Sequence, residues 1–342
     1  MIREGPMIRA AIVGAGLAGN MHANILTNEI DGVDVVSIVD KNEDKAKHFS
    51  KKYNARYYTD FDEMLIKEEI DLVVVSTTTP FHAYFAIKAA AAGKIVFCEK
   101  PMAFTLREAD KLIQAVTKNR VKCMIGHVLR FWPEYVKVKE IVNSGVLGIP
   151  LHGVAERLLA MPDWTEDDWY KREELGGGAA LDVQVHDIDY LSWIFGKAKI
   201  VKAQGIYDSS YGGWVHMATN IEYENGTGGF VQGGIRYQKK FPFTMVLRII
   251  CEKGTVEWIF RGGAHLEERG KQVPIFIYKQ DAIEQVEVEQ VDPYIQEWSY
   301  FIKCIEKDIP PENATVEDGR HALEVALASI RSAKKGTAVK LK

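Results

Sequence analysis

What this 342-residue chain lacks narrows its identity first. It has no surplus of one charge. Its 43 Lys and Arg against 47 Asp and Glu leave a formal net charge of -4, without a long run of either sign, so no nucleic-acid or anionic-membrane surface is expected. It has no apolar stretch long enough to span a bilayer. The run from Ala10 to Ala18 behind Arg3 and Arg9 imitates a signal peptide, but it is short and glycine-punctuated and reads better as a buried strand. Cysteine is scarce. Cys98, Cys123, Cys251 and Cys304 are scattered without paired metal-ligand spacing, which points to free thiols in a reducing cytoplasm. There is no internal repeat and no low-complexity tract.

What is present is enough apolar material, 47% of residues, for a substantial core, and a length that favours two domains. The first third alternates strand and helix. Ile8 to Val13, Val33 to Asp40, Asp71 to Thr77, Ile95 to Glu99 and Val121 to Gly126 read as strands; Leu17 to Asn28, Asn42 to Tyr53, His82 to Ala92 and Leu106 to Asn119 read as helices. Such alternation implies a parallel sheet covered on both faces.

At the end of the first strand, Gly14-Ala15-Gly16-Leu17-Ala18-Gly19 fits G-x-G-x-x-G. Alone the motif is weak. Here a strand precedes it, a helix follows, and Asp40 closes the next strand 21 residues after Gly19. The first glycine makes the tight turn, the second lets backbone amides approach a pyrophosphate at a helix N-terminus, and the third allows close helix–sheet packing. Asp40 would bind the ribose hydroxyls and repel a 2′-phosphate. NAD is therefore expected over NADP, with Lys41 beside it leaving NADP possible.

After about residue 126 the pattern becomes alternating. His216 to Tyr223, Phe230 to Tyr237, Phe243 to Cys251 and Gly254 to Phe260 read as strands of a mainly antiparallel sheet, with Asn225-Gly226 as a hairpin signal. The open face of that sheet needs cover, so a homodimer or homotetramer through it is expected. The tail from Pro293 reads as helical, most strongly over Glu317 to Lys334. One helix interrupts the strands at Leu181 to Phe195, behind Gly176, Gly177 and Gly178. It sets Asp182 and His186 four residues apart, on one face, as two metal ligands or two parts of a proton relay would be.

The glycine loop, AAGKIVFCEKPMA (91–103) with Glu99-Lys100-Pro101 at a strand end, GHVLRFWPEY (126–135) and GGGAALDVQVHDIDYL (176–191), in that order, resemble the Gfo/Idh/MocA family of oxidoreductases. The resemblance implies a Rossmann NAD-binding domain over 1–126, an α/β substrate-binding and oligomerisation domain with an open sheet over 127–342, and a site in the cleft between them. By motif, Lys100 matches the family's catalytic lysine, Asp182 and His186 its acid and histidine, and Asp40 its ribose acid. The sequence departs where many members carry Thr-Pro after the third strand. Here Thr77 is followed by Thr78 and the proline waits until Pro80, while His82 keeps its usual distance before Gly93.

Oxidising a carbinol requires a base for the hydroxyl proton and a fixed cation for the developing alkoxide. His186 suits the first role, with Asp182 orienting it or binding a neighbouring hydroxyl, and Lys100 suits the second. The metal alternative has too few ligands, since His152, His216 and His265 are unmotivated additions. Thr77, His82, Glu99 and Lys100 are read with the loop residues as cofactor-binding, Glu99 equally as a partner for the neighbours of Lys100. Arg130 and Trp169 are read as substrate-binding on segments the resemblance places around the cleft, with Arg130 equally read as holding the domain junction together or binding the cofactor from across the cleft. The expected substrate is a sugar or cyclic polyol. The competing readings are an NAD-retaining redox-neutral hydrolase or lyase, and a non-catalytic NAD-binding sensor.

Overall fold

The computed structural model describes residues 7–160, 171–211, 213–263 and 273–341. The chain divides into two compact units, one formed by the residues up to Val128 with Asp292–Arg320, the other by Leu129–Val291 with the residues from His321 onward.

In the first unit the elements run β1 (Ile8–Val13), α1 (Leu17–Asn28), β2 (Val33–Val39), α2 (Glu43–Tyr53), β3 (Arg56–Tyr58), α3 (Phe61–Lys67), β4 (Leu72–Val75), α4 (His82–Ala91), β5 (Ile95–Cys98), α5 (Leu106–Asn119) and β6 (Cys123–Ile125). Its described strands form a parallel sheet in the order β3-β2-β1-β4-β5-β6. This is the doubly wound order, with its switch point between β1 and β4. β4 is buried at all four positions, as a strand covered on both faces must be. Local chemistry fixes the helix ends. Asn42 caps α2 through the Lys45 amide and Asn54 closes it in the left-handed region, while Thr105 and Glu108 form a capping box on α5. The short β3 and the helix α3, capped by Asp60, were not anticipated from the sequence.

The second unit contains α6 (Pro133–Asn143), β7 (Pro150–Ala160), the short α7 (Glu173–Gly176), a π-helical turn (Ala180–Gln184) leading into α8 (Val185–Phe195), and then β8 (Ala198–Asp208), β9 (Gly213–Tyr223), β10 (Gly228–Tyr237), β11 (Thr244–Cys251), β12 (Gly254–Arg261), β13 (Ile275–Tyr278) and β14 (Ile283–Val286). The sheet order is β14-β13-β12-β11-β7-β10-β9-β8-β15, where β15 is Val339–Lys340. Among described strands only the β7–β10 pairing is parallel. The Asn225-Gly226 signal is met by the β9–β10 hairpin, with Gly226 at φ +85. One face lies under α8. A Cβ on Gly153 would come within 2.6 Å of the Phe195 ring, so the neighbouring His152 and Val154 of β7 point to the other face.

The tail differs from a simple boundary at residue 126. α9 (Pro293–Glu306) belongs to the first unit, where Trp298 is fully buried and stacks on Phe97 with ring centroids 4.4 Å apart. α10 (Val316–Lys335) begins in the first unit, with Gly319 against Ile125 and Met102. It ends in the second, where the Ser332 hydroxyl accepts the Ala203 amide at 2.9 Å. No described helix is long and apolar enough to cross a membrane.

Candidate active site

The first unit presents the glycine loop at its switch point. Gly14 has φ +105, and a Cβ there would lie 2.6 Å from the Ser76 carbonyl oxygen, so conformation and space both demand glycine. A Cβ on Gly19 would lie 1.9 Å from the Gly14 oxygen, which is how closely α1 lies against the turn. Gly16 is different. A Cβ there would meet nothing within 4 Å, and α1 starts at this point with no side-chain cap and no acid in its first turn. The loop backbone therefore faces open space with the helix amides available to an anion, and Leu17 beside it is 58% exposed. These residues fit a dinucleotide pyrophosphate.

Asp40 sits where the sequence placed it, and it also ties down the loop. Its Oδ2 accepts the Ala15 amide at 2.8 Å and its Oδ1 the Asn42 amide at 2.8 Å. Each carboxylate oxygen keeps acceptor capacity for a hydroxyl donor. The departure at Thr77-Thr78 is accommodated by a 3-10 turn over Thr79–Phe81 that leads straight into α4. His82, 2% exposed, spans this loop and the next, with Nδ1 2.8 Å from the Pro101 oxygen and Nε2 2.9 Å from the Thr77 oxygen. Burial pushes its pKa down, with the two carbonyls pulling the other way. A neutral imidazole carries a single N–H, so the ring donates to one of these two carbonyls and packs against the other between the two loops.

Lys100 stands half-buried beyond the carboxyl end of β5, where parallel sheets place their ligands. Its backbone amide donates to Glu99 Oε2 at 3.0 Å.

In the second unit, Gly177 and Gly178 at φ +69 and +66 turn the chain into the π-helical segment, and a Cβ on Gly177 would strike Leu181 at 2.5 Å. The uniform α-helix expected from Leu181 is thus replaced in its first turn by a wider one. Gln184 explains the widening. Its buried amide donates to the Met217 and Val231 oxygens at 2.9 and 2.8 Å and accepts from the Thr219 hydroxyl at 3.2 Å, and it lies so close to β10 that a Cβ on Gly233 would be 2.5 Å from its Cγ.

From Gly176 to Leu191 every residue is buried except Asp182 and His186, which are half-exposed. Two buried ion pairs fix the helix around them. Arg130 forms a bidentate pair with Asp189, at 2.8 Å on both arms, and Arg157 of β7 pairs with Asp187 at 3.0 and 3.3 Å. Burial raises the Asp187 pKa, with Arg157 opposing. The Arg130 side chain is 3% exposed, and two of its nitrogens bond Asp189. Its guanidinium also lies 5.3 Å from the centroid of the Trp193 ring. Arg157 and Gln184 were missed because their partners are remote in sequence. Trp169 lies outside the described residues, as do Trp164, Tyr170 and His265. His152 is on the outer face of β7, and His216 bonds Gln232 at 2.9 Å.

Comparison with known proteins places this geometry in context. A model of an oxidoreductase family with an NAD-binding Rossmann fold, Gfo/Idh/MocA, matches residues 8–127, and the model of a C-terminal domain of the same family matches residues 135–257. The chain is 27% identical to an inositol 2-dehydrogenase of Salmonella typhimurium, covering 96% of this chain and 95% of that one. It is 27% identical to an NAD(+)-dependent scyllo-inositol 2-dehydrogenase of Bacillus subtilis, covering 98% and 96%. Among solved structures, a myo-inositol 2-dehydrogenase of Lactobacillus plantarum superposes with a TM-score of 0.82 at 23% identity, covering 98% of this chain and 100% of that one.

Proposed function

The chain belongs to the Gfo/Idh/MocA oxidoreductase family, and from that premise we propose that it oxidises a secondary hydroxyl of a sugar or cyclic polyol of the inositol class with NAD. The observation that carries the catalytic assignment is the pair Asp182 and His186, half-exposed on one face of an otherwise buried segment. His186 takes the hydroxyl proton. Asp182, one turn earlier, orients the imidazole or binds a neighbouring hydroxyl, and Lys100 donates a hydrogen bond to the reacting oxygen as its negative charge develops. In the reverse direction His186 returns the proton.

Gly14, Gly16, Leu17, Ala18 and Gly19 would hold the pyrophosphate, Asp40 the adenosine ribose, and Thr77 with Glu99 the nicotinamide end. When bound, NAD supplies the carbon that accepts hydride from the carbinol. The dehydrogenase relatives favour net oxidation over redox-neutral bond cleavage.

Two further assignments go with this reading. A second copy of the chain covers the sheet face opposite α8, where Val154, Phe230 and Phe276 are half-buried and Ile250 is exposed. Sedimentation at micromolar concentration should find no monomer, and a monomer would remove this pairing. A reducing cytoplasm suits the four buried free thiols.

The function is tested by offering NAD or NADP with a panel of inositols, aldoses and sugar acids. Reduced nicotinamide should appear with NAD and at least one polyol or sugar, and NAD should bind more tightly because the Asp40 carboxylate repels a 2′-phosphate. Silence across the panel with NAD bound would sink the assignment.

A further inference from the structure

Buried groups from separate elements of the first unit converge beside Lys100. Trp298 on α9 donates its indole N–H to Nδ1 of His22 on α1 at 3.0 Å. Nε2 of His22 lies 2.9 Å from Oε1 of Glu99, and Oε2 of Glu99 accepts the Lys100 amide. Trp298 and His22 are fully buried. The direction of the chain follows from donor chemistry. An indole nitrogen can only donate, so Nδ1 of His22 must accept, and the ring proton sits on Nε2, aimed at Glu99. A Cβ on Gly126 would lie 3.2 Å from Glu99 Oε2, so the carboxylate is confined from that side as well.

We infer that Trp298, His22 and Glu99 form a positioning chain that fixes Lys100 for the reaction, the indole setting the imidazole tautomer and the imidazole holding the carboxylate that anchors the lysine backbone. The inference rests on the proposed role of Lys100. Transition-state stabilisation depends on placing such a cation to within a fraction of an ångström.

The charges around Glu99 agree. Burial alone would push its carboxyl up, but the His22 hydrogen bond and the Lys100 charge outweigh burial and hold it below its ordinary value. Glu99 is faced by His22 from α1, His82 from α4, Lys100 in the chain and Glu297 from α9. The Glu297 carboxyl is driven well above its ordinary value by burial and by the Glu99 charge.

The test compares His22→Leu, His22→Gln and Trp298→Phe in the full chain. In His22→Leu the Glu99 carboxyl, followed by carbon-13 NMR, should titrate at higher pH, because burial is then unopposed by the imidazole. Its kcat should fall about tenfold, the scale of one charge-assisted hydrogen bond, with KM and the NAD dissociation constant within about twofold. His22→Gln, whose amide N–H can still donate to Glu99, should restore the carboxyl titration and most of kcat. In Trp298→Phe, nitrogen-15 shifts of His22 should lose the single Nε2–H tautomer and kcat should fall; this variant decides alone should His22→Leu fail to fold. An unmoved Glu99 titration in His22→Leu, or His22→Gln as impaired as His22→Leu, overturns the inference. The NMR readings need no turnover. A wild-type chain that reduces no NAD would therefore count against the proposed function while the titration still decides the chain.

Discussion

Replacing Lys100 by methionine should lower kcat by about 10²- to 10⁴-fold while leaving NAD affinity within about threefold. The asymmetry comes from where the residue is held. Lys100 is anchored through its backbone amide to Glu99, and that bond survives any change of side chain. The amides that would face a bound pyrophosphate lie at the end of β1, on a turn made by Gly14 and closed by Ser76. On the proposed role, removing the ammonium deletes a charge that matters most as the alkoxide forms, without disturbing the glycine loop. Arginine should not rescue, because a bulky planar fork cannot occupy the position of a compact ammonium. Steady-state turnover together with a cofactor titration by fluorescence checks both halves. A kcat within about threefold of wild type would take Lys100 out of the mechanism.

The second large effect is on stability. Asp189→Ala leaves the Arg130 guanidinium 3% exposed without either arm of its bidentate partner. Removing one partner of a buried ion pair costs about 3–5 kcal/mol, far more than losing a surface pair. Over a unit of this size the melting temperature should drop by roughly 6–20 °C. Replacing both partners, Arg130→Met with Asp189→Leu, should recover most of the loss, because two apolar side chains need no compensation. Calorimetry of the single and double variants measures the difference. A loss below about 1 kcal/mol in Asp189→Ala would mean that the pair contributes no more than a surface one. If the double variant folds but its substrate KM rises about tenfold, Arg130 returns to the substrate site.

Several parts of this structure are written locally. Parallel strands buried on both faces read as unbroken apolar runs, so AAIV and LVVV announce themselves, and the glycine loop carries its reasons within six residues. The four-residue spacing of Asp182 and His186 is likewise local, and these two are the half-exposed positions of a segment otherwise buried from Gly176 to Leu191. The rest depends on distant partners. β3 has three residues and exists because Ser37 to Val39 offer it a sheet edge. The π-helical turn is set by Gln184 reaching two strands and by the missing side chain of Gly233, neither of which marks the local pattern. Arg130 belongs to a motif that points to function, and only the folded chain shows Asp189 taking its side chain. Trp298 and His22 are 276 residues apart, so no window along the chain could join them.

The placement of α9 bears on how the protein is made. The sheet that carries the glycine loop is encoded by the first part of the chain, yet the tryptophan that completes its packing follows all of the second sheet but its last edge strand, β15. At typical rates of synthesis, roughly ten to thirty seconds separate the emergence of the two from a ribosome. During that interval Phe97 and His22 lack the indole that covers them in the finished molecule. The nascent nucleotide-binding unit is thus obliged to wait, partly open, for a helix made after most of the second sheet.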